Sequence, residues 1–392
     1  MPVWHEKVQD LVDSGQLNVV CVIQEQHVDR CRLFLQWKQI PWKVLHDPIN
    51  LLGSTAVPIF TAIDEHGVVR HKNPTPDWIR TTFLTKQYPK PKETAATINS
   101  PAKTALRTPP PEGQSFQSWQ DYADSLVLWG KTSDIDVAIK GYRAALDHDK
   151  ANAATMFRLG AAYRLRYDSP ERRPDDFLNA AKLWHAALEA DPNHYIYRRR
   201  IQQYGPRLDK PYSFYDWIAQ ARREVAARGE TPYAIAVEPG GAELAHPTRK
   251  LGSDSDSEKE PDPKDRIRVD RKAMISHSVV VVPPRIEPEK TTCVHIEFEP
   301  FQAHWTNEAG PATVWIRAPM GWSLSKQHFL LTNEHQAESE ESRKIDFEVQ
   351  PPAGAKSTTL EAYILYYACH ESDGVCIYGR RNIEIPSVIT QQ

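Results

Sequence analysis

The chain is short of cysteine and carries no strong charge of either sign. Five cysteines are scattered over 392 residues, too few for a disulfide-built scaffold, and the odd number leaves at least one thiol unpaired within the chain. The net charge of −3 gives no basic field, so the sequence offers no nucleic-acid surface. No stretch approaches eighteen uninterrupted apolar residues, which excludes a simple membrane-spanning helix. The opening MPVWHEKVQDLVDSG lacks a basic segment followed by an apolar one and so shows no export signal. His71, His246 and His277 have no partners at zinc spacing, and nothing points to a cofactor. What remains is ordinary globular composition, 40% apolar and 25% charged, in a chain long enough for two to four domains.

Composition divides the chain into five parts. Residues 1–85 alternate apolar runs with helical spacing: LNVVCVI reads as a strand, 27–39 as a helix through Val28, Cys31, Leu35 and Trp37, and VPIFTAI as a second strand. TAIDEHGVVR predicts an antiparallel hairpin turning at Glu65-His66-Gly67. Cys21 and Cys31 fall on apolar faces, as buried thiols do. Residues 86–114, rich in Pro, Thr and Lys, read as a linker. Residues 115–229 are helical. Residues 230–274 form a second linker whose acidic run GSDSDSEKEPDPKD (252–265) cannot bury apolar area and is expected to be disordered. Residues 275–392 carry six or seven short strands. Arg198-Arg199-Arg200 reads as a solvated helix face rather than a phosphate site.

An internal repeat marks the helical part. At an offset of 42 residues, Ala138, Tyr142, Ala145, Leu146 and Asp149 fall on Ala180, Trp184, Ala187, Leu188 and Asp191. That spacing sets small and aromatic residues on one helix face, where the small ones let a partner helix approach. It resembles the second helix of a tetratricopeptide repeat, which also expects a proline after the Asp; Pro192 supplies it and Lys150 does not. FRLGAAYRL carries the Leu159, Gly160 and Tyr163 of the first helix, and about eight residues within RYDSPERRPDD are inserted before the second. The resemblance implies a helical stack that binds a protein partner.

In the strand-rich part, CVHIEFE alternates so that Val294, Ile296 and Phe298 face the core while Cys293 lies on the polar face. LEAYILYYA is apolar on both phases, as a central strand is. YYACHESDGVCIYGRR then places two cysteines around a turn. With a four-residue loop at 371–374, Cys369 faces Cys376 across the ladder and a disulfide is feasible; a two-residue Asp373-Gly374 turn would leave the cysteines diagonal. A redox or disulfide-forming pair, two reduced core cysteines, and a metal half-site with His370 all remain open. As a staple the bond closes only an eight-residue loop, worth roughly 2.5 kcal/mol, against almost 5 for a hundred-residue loop.

Two further resemblances bear on function. The cysteine hairpin, with NEAGPATVWIRAPMGW upstream, resembles the N-terminal immunoglobulin-like domain of the DsbD-type thiol:disulfide interchange protein, which implies a β-sandwich whose cysteine pair passes electrons to thioredoxin-fold partners; here the spacing is C-x6-C. LNVVCVIQEQ, RLFLQWKQIPWKVLHD and AVPIFTAIDEHGVVR resemble a TlpA-type redoxin of the thioredoxin-like family. That implies a cis proline at Val57-Pro58, set to receive a substrate strand. No Cys-x-x-Cys occurs in residues 1–85, and Met1-Pro2 matches the helix that follows that motif in the family. The native start is therefore expected upstream of Met1, with export to the periplasm in that case and a cytoplasmic location otherwise.

The expectation is a multi-domain chain: an incomplete α/β thioredoxin-like domain, an all-α helical repeat, and an all-β immunoglobulin-like sandwich. Its function would be thiol–disulfide exchange through Cys369 and Cys376, with protein clients or a redox protein as partners, no nucleic acid and no metal. The alternative is a non-enzymatic interaction scaffold with a degenerate redoxin domain and structural cysteines.

Overall fold

The computed structural model describes residues 2–24, 28–56, 58–90, 108–111, 115–204, 217–235, 259–333, 336, 338–371 and 374–390. They mix helices and β-sheets and divide into two compact units, the first ending at Ile235 and the second beginning at Lys259.

The first unit opens with helix α1 (Pro2–Asp13), strand β1 (Val20–Ile23), helix α2 (Val28–Lys38) and strand β2 (Lys43–His46). β1 and β2 pair in parallel, Cys21 opposite Val44, with α2 as the crossover that parallel neighbours need. Strands β3 (Thr61–Ile63) and β4 (Val69–Lys72) form the expected hairpin. Its turn closes on Gly67 at φ 79°, where a glycine carries no Cβ penalty, and Asp64 accepts from the amides of His66 and Val68 (2.9 Å each). Helix α3 (Pro76–Trp78) runs into a π-turn, Ile79–Phe83. Val8, Leu11, Ile40, Trp42, Ala62, Ile79 and Phe83 make the local core. Cys21 and Cys31 are half-buried rather than fully buried. Cys21 lines this core, and burial raises its thiol pKa.

Helices α4 (Phe116–Trp129), α5 (Ile135–His148), α6 (Ala153–Tyr167), α7 (Asp176–Ala190) and α8 (Tyr195–Tyr204) each pack on the next in sequence. Ala138, Tyr142, Ala145, Ala180, Trp184 and Ala187 are all fully buried, and Leu159 and Tyr163 nearly so. The reason for small residues is explicit at Gly160. A Cβ built there would stand 2.6 Å from Trp184 Nε1 and 3.2 Å from the Ala180 carbonyl. α7 ends at Asp191, whose amide caps onto the Ala187 carbonyl (2.9 Å), and Pro192 follows it.

Arginine–aspartate pairs hold the inserted segment between α6 and α7. Arg166 is buried between Asp176 and Asp136, and Arg173 also reaches Asp136. The Arg166 hydrogen bond holds the Asp136 carboxyl below its ordinary 3.8. A depressed carboxylate contributes stability that is present above its ordinary value and lost as pH falls through the folded one. Far-UV dichroism during acid titration is expected to show the native chain losing more stability below about pH 4 than Asp136→Asn does; equal losses would remove this pair from the account.

Helix α9 (Trp217–Ala227) packs on α2, with Leu33 against Ile218 and Ala221 and the Trp37 and Trp217 rings stacked 5.8 Å apart. The α/β segment and the helices, read as separate domains from sequence, thus share one unit because α9 returns to α2. Arg200 is buried, not solvated. Its guanidinium donates to the Gln24 (2.7 Å) and Pro48 (3.3 Å) carbonyls above the Phe157 and Trp184 rings. Val57 lies outside the described residues, and with it the expected cis bond to Pro58. A cis bond among the described residues joins Val282 and Pro283.

The second unit is two facing sheets. One has the order β10 (Ser323–Leu324), β13 (Arg343–Gln350), β7 (Thr292–Pro300), β5 (Ile275–Val282). The other runs β11 (His328–Leu331), β9 (Ala312–Arg317), β14 (Thr358–His370), β15 (Cys376–Ile389), β6 (Arg285–Ile286), with β8 (Ala303–Thr306) beside the far end of β14 and β12 (Glu338–Ser339) beside β8. Val294, Ile296 and Phe298 meet Ile364, Tyr366 and Ile385 in the shared core, and Cys293 is exposed, as the alternation in CVHIEFE predicts.

The outer face of the second sheet is covered in turn. Residues 259–274, assigned from sequence to a linker, lie along it with Ile267 against Trp315, Tyr363 and Leu365. Buried carboxylates hold them there. Asp262 accepts from the amides of Arg266 (2.8 Å) and Ile267 (3.1 Å) and from Arg380 (2.7 Å). Asp270 accepts from the Met274 amide and the Tyr366 hydroxyl, both at 2.7 Å. Asp262, one of the acidic residues that argue for disorder from composition, is here an acceptor for backbone amides. Residues 252–258 of that run lie outside the described residues.

Candidate functional site

β14 and β15 pair without a break from Thr358–Ser387 to Cys369–Cys376. The His370 amide donates to the Val375 carbonyl (3.1 Å), so the cysteines occupy the adjacent, closer kind of cross-strand pair, their Cα atoms 3.9 Å apart and their sulfurs bonded. This is the direct opposition that a loop at 371–374 produces; Ser372 and Asp373 within it lie outside the described residues.

Directly opposed residues on neighbouring strands share a face, and that rule assembles the site. On the other side of β14, Cys369 opposes His304 of β8. Two residues along β8, Thr306 opposes Glu338 of β12. One face therefore presents Cys376, Cys369, His304 with Thr306, and Glu338 across four adjacent strands. The Thr306 hydroxyl lies 3.0 Å from Cys369 Sγ, and His304 Nε2 lies 3.4 Å from the Glu338 carboxylate. His304 Nε2 or Nδ1, a Glu338 oxygen and Cys369 Sγ all lie within 4.8 Å of one another. Tyr367 and Tyr378, the next residues on the same face, pack with their rings tilted by 44° and their centroids 4.6 Å apart.

The two sulfurs are not equivalent. Cys369 is 3% exposed, whereas Cys376 is only half-buried and its Sγ lies 3.7 Å from the Gly374 carbonyl at the turn. Cys376 is thus the more exposed of the two, and Cys369 is the one next to a hydroxyl donor and an imidazole–carboxylate pair.

No family model matches the chain, and no curated protein matches it. Among solved structures, a protein that catalyses macrocyclization in alchivemycin A biosynthesis aligns at 9% identity over 33% of this chain and 95% of its own, TM-score 0.21. A FixG-related protein from Vibrio parahaemolyticus aligns at 9% identity over 29% and 96%, TM-score 0.16. The alkylpurine DNA glycosylase AlkC of Pseudomonas fluorescens, bound to DNA containing an abasic-site analog, aligns at 10% over 69% and 71%, TM-score 0.19. Likenesses this slight carry no argument about fold or activity.

The residues singled out from sequence fall into separate settings. Cys369 and Cys376 come together on the outer sheet face. The repeat residues Ala138, Tyr142, Ala145, Leu159, Gly160, Tyr163, Ala180, Trp184 and Ala187 build the helical core of the first unit. Pro58 is half-buried in that same unit. The histidine beside the cysteines is His304, not His370: strand alternation puts His370 on the opposite face from Cys369. His304, Thr306 and Glu338 carry no local sequence signal. They reach the cysteines only through the pairing of two strands four and two residues long. Among the described residues, no helix is long and apolar enough to cross a membrane.

Proposed function

We propose that the chain exchanges disulfides with a protein dithiol at Cys369–Cys376. The observation that carries this reading is the asymmetry of the bond: a half-buried Cys376 joined to a buried Cys369 whose sulfur already has a hydroxyl donor at 3.0 Å. A partner thiolate attacks Cys376 Sγ, forms a mixed disulfide and releases Cys369 as a thiolate. Thr306 stabilises that thiolate by a hydrogen bond, and His304, held by Glu338, supplies its proton. A second partner thiolate then attacks the partner's own sulfur in the mixed disulfide and releases Cys376. The partner leaves oxidised by two electrons, and two protons end on Cys369 and Cys376.

We read the β1–α2–β2 crossover and its following hairpin as thioredoxin-like without a Cys-x-x-Cys, α5–α7 as tetratricopeptide-like and suited to holding a client, and the facing sheets as immunoglobulin-like. The rival reading, a scaffold with a structural cystine, draws on the burial of Cys369.

Trapping separates the two. Cys369→Ser leaves the reachable thiol and is expected to form a mixed disulfide with an aromatic disulfide reagent at least about tenfold faster than Cys376→Ser, which leaves the buried one. The native bond is expected to equilibrate with a thioredoxin-class dithiol. A potential well below about −300 mV, with both variants equally slow, would favour the scaffold.

A further inference from the structure

We propose that reduction turns the same sheet face into a site for a thiophilic divalent cation of the zinc class, held by Cys369, Cys376, His304 and Glu338. The inference rests on the Cys369–Cys376 bond being reducible, as the exchange reading requires, and goes beyond it in assigning a ligand to the reduced state.

The donor set is the first argument. Two thiolates, an imidazole and a carboxylate are the ligand types that zinc takes, and four of them complete the tetrahedron of a closed site. Bonds of about 2.0–2.3 Å place such donors roughly 3.3–3.8 Å apart. In the oxidised state His304, Glu338 and Cys369 already lie within 4.8 Å of one another, and His304 to Glu338 is 3.4 Å. The fourth donor, Cys376 Sγ, is bonded to Cys369 Sγ. When that bond breaks the sulfurs move apart to non-bonded contact, which is the sulfur–sulfur edge that zinc requires.

The strand pairing is the second argument. Cys376, Cys369 and His304 occupy opposed positions on three adjacent strands, and Glu338 projects from the fourth beside Thr306. The donors therefore hang from a hydrogen-bonded ladder, so little ordering is left for the metal to impose. Thr306 supplies the outer layer, its hydroxyl directed at Cys369 Sγ, the kind of support that fixes a ligating sulfur.

Metal and disulfide exclude each other. A disulfide sulfur has no thiolate charge to give a cation, and a metal-bound thiolate is withheld from oxidation. A dithiol reductant delivers two electrons and two protons to the cystine and becomes a disulfide itself; the cation then displaces the two thiol protons.

The test uses the whole chain, with cobalt(II) as the probe and zinc(II) as the competitor. Oxidised protein is expected to show three thiols under denaturant, Cys21, Cys31 and Cys293, and no tetrahedral cobalt spectrum. After reduction with a phosphine and its anaerobic removal, five thiols and one cobalt per chain are expected, with a sulfur-to-cobalt charge-transfer band that zinc abolishes. His304→Ala is expected to weaken cobalt binding by about 100-fold or more, beyond the roughly 10–100-fold cost of losing an outer partner, and Glu338→Gln to weaken it less. Five thiols without cobalt binding would overturn the metal site and leave the exchange reading standing. Binding unchanged in His304→Ala would show adventitious capture by thiols and overturn it as well. A thiol count that stays at three after reduction would overturn both readings together.

Discussion

Trp184→Ala is expected to remove about 3–5 kcal/mol from the helical unit, read as a lowered denaturant midpoint in far-UV dichroism. Trp184 is fully buried, its indole nitrogen donates to the Phe157 carbonyl (3.3 Å), and its ring fills the space that the absence of a side chain at Gly160 leaves open. Alanine would leave a cavity between α6 and α7 that their backbones cannot collapse into, because the buried arginine–aspartate pairs pin the segment joining them. The complementary change, Gly160→Ala, is expected to cost about 1–3 kcal/mol by overpacking. Because the two positions touch, their effects are expected not to add. In a Trp184→Ala background the Gly160→Ala cost should largely vanish. Strictly additive losses would mean that this close approach is not what sets the fit of the two helices.

Asp262→Ala is expected to destabilise the β unit by about 3–5 kcal/mol. The carboxylate and the Arg380 guanidinium are both buried, with side-chain exposures of 5% and 6%. Alanine leaves two backbone amides without their acceptor and strips Arg380 of its buried carboxylate, leaving it the exposed Asp265 at 2.6 Å and the Asn382 side-chain oxygen at 2.8 Å. Removing one member of a buried pair costs far more than the pair contributes, because the survivor stays desolvated. Residues 259–274 should become the first site of limited proteolysis in the variant, ahead of any loss of the facing sheets. If midpoint and cleavage pattern both match the native protein, this segment is not held by Asp262.

What could be read in advance follows from how local each signal is. The alternation in CVHIEFE, the two-phase apolarity of LEAYILYYA and the small–aromatic spacing around Tyr142 and Trp184 are set within one strand or helix, and each placed its residues correctly inside or outside. The opposition of Cys369 and Cys376 needed only a loop length. The site around them did not show, because His304, Thr306 and Glu338 lie more than thirty residues from the cysteines in sequence and meet them through short strands with little apolar pattern. Asp262 was misread for a different reason. A carboxylate counts as solvated in composition, yet it is buried here because it replaces backbone acceptors that the irregular segment cannot supply for itself. Arg200 misled likewise: its fork reaches two carbonyls brought near only by tertiary packing.

The order of strands in the second sheet has a bearing on synthesis. β14 lies between β9 and β15, and β15 between β14 and β6, yet these two strands follow every other strand of the unit along the chain. A ribosome therefore releases the flanks of that sheet before its middle. At about 5–20 residues per second, the inner faces of β7 and β13 wait for seconds before the middle of the facing sheet is there to cover them. The cysteine bond forms only when the hairpin arrives to fill the gap, so an oxidant meeting the nascent chain finds Cys369 unpaired until Cys376 follows it, and cellular chaperones have that same interval in which to hold the exposed strands.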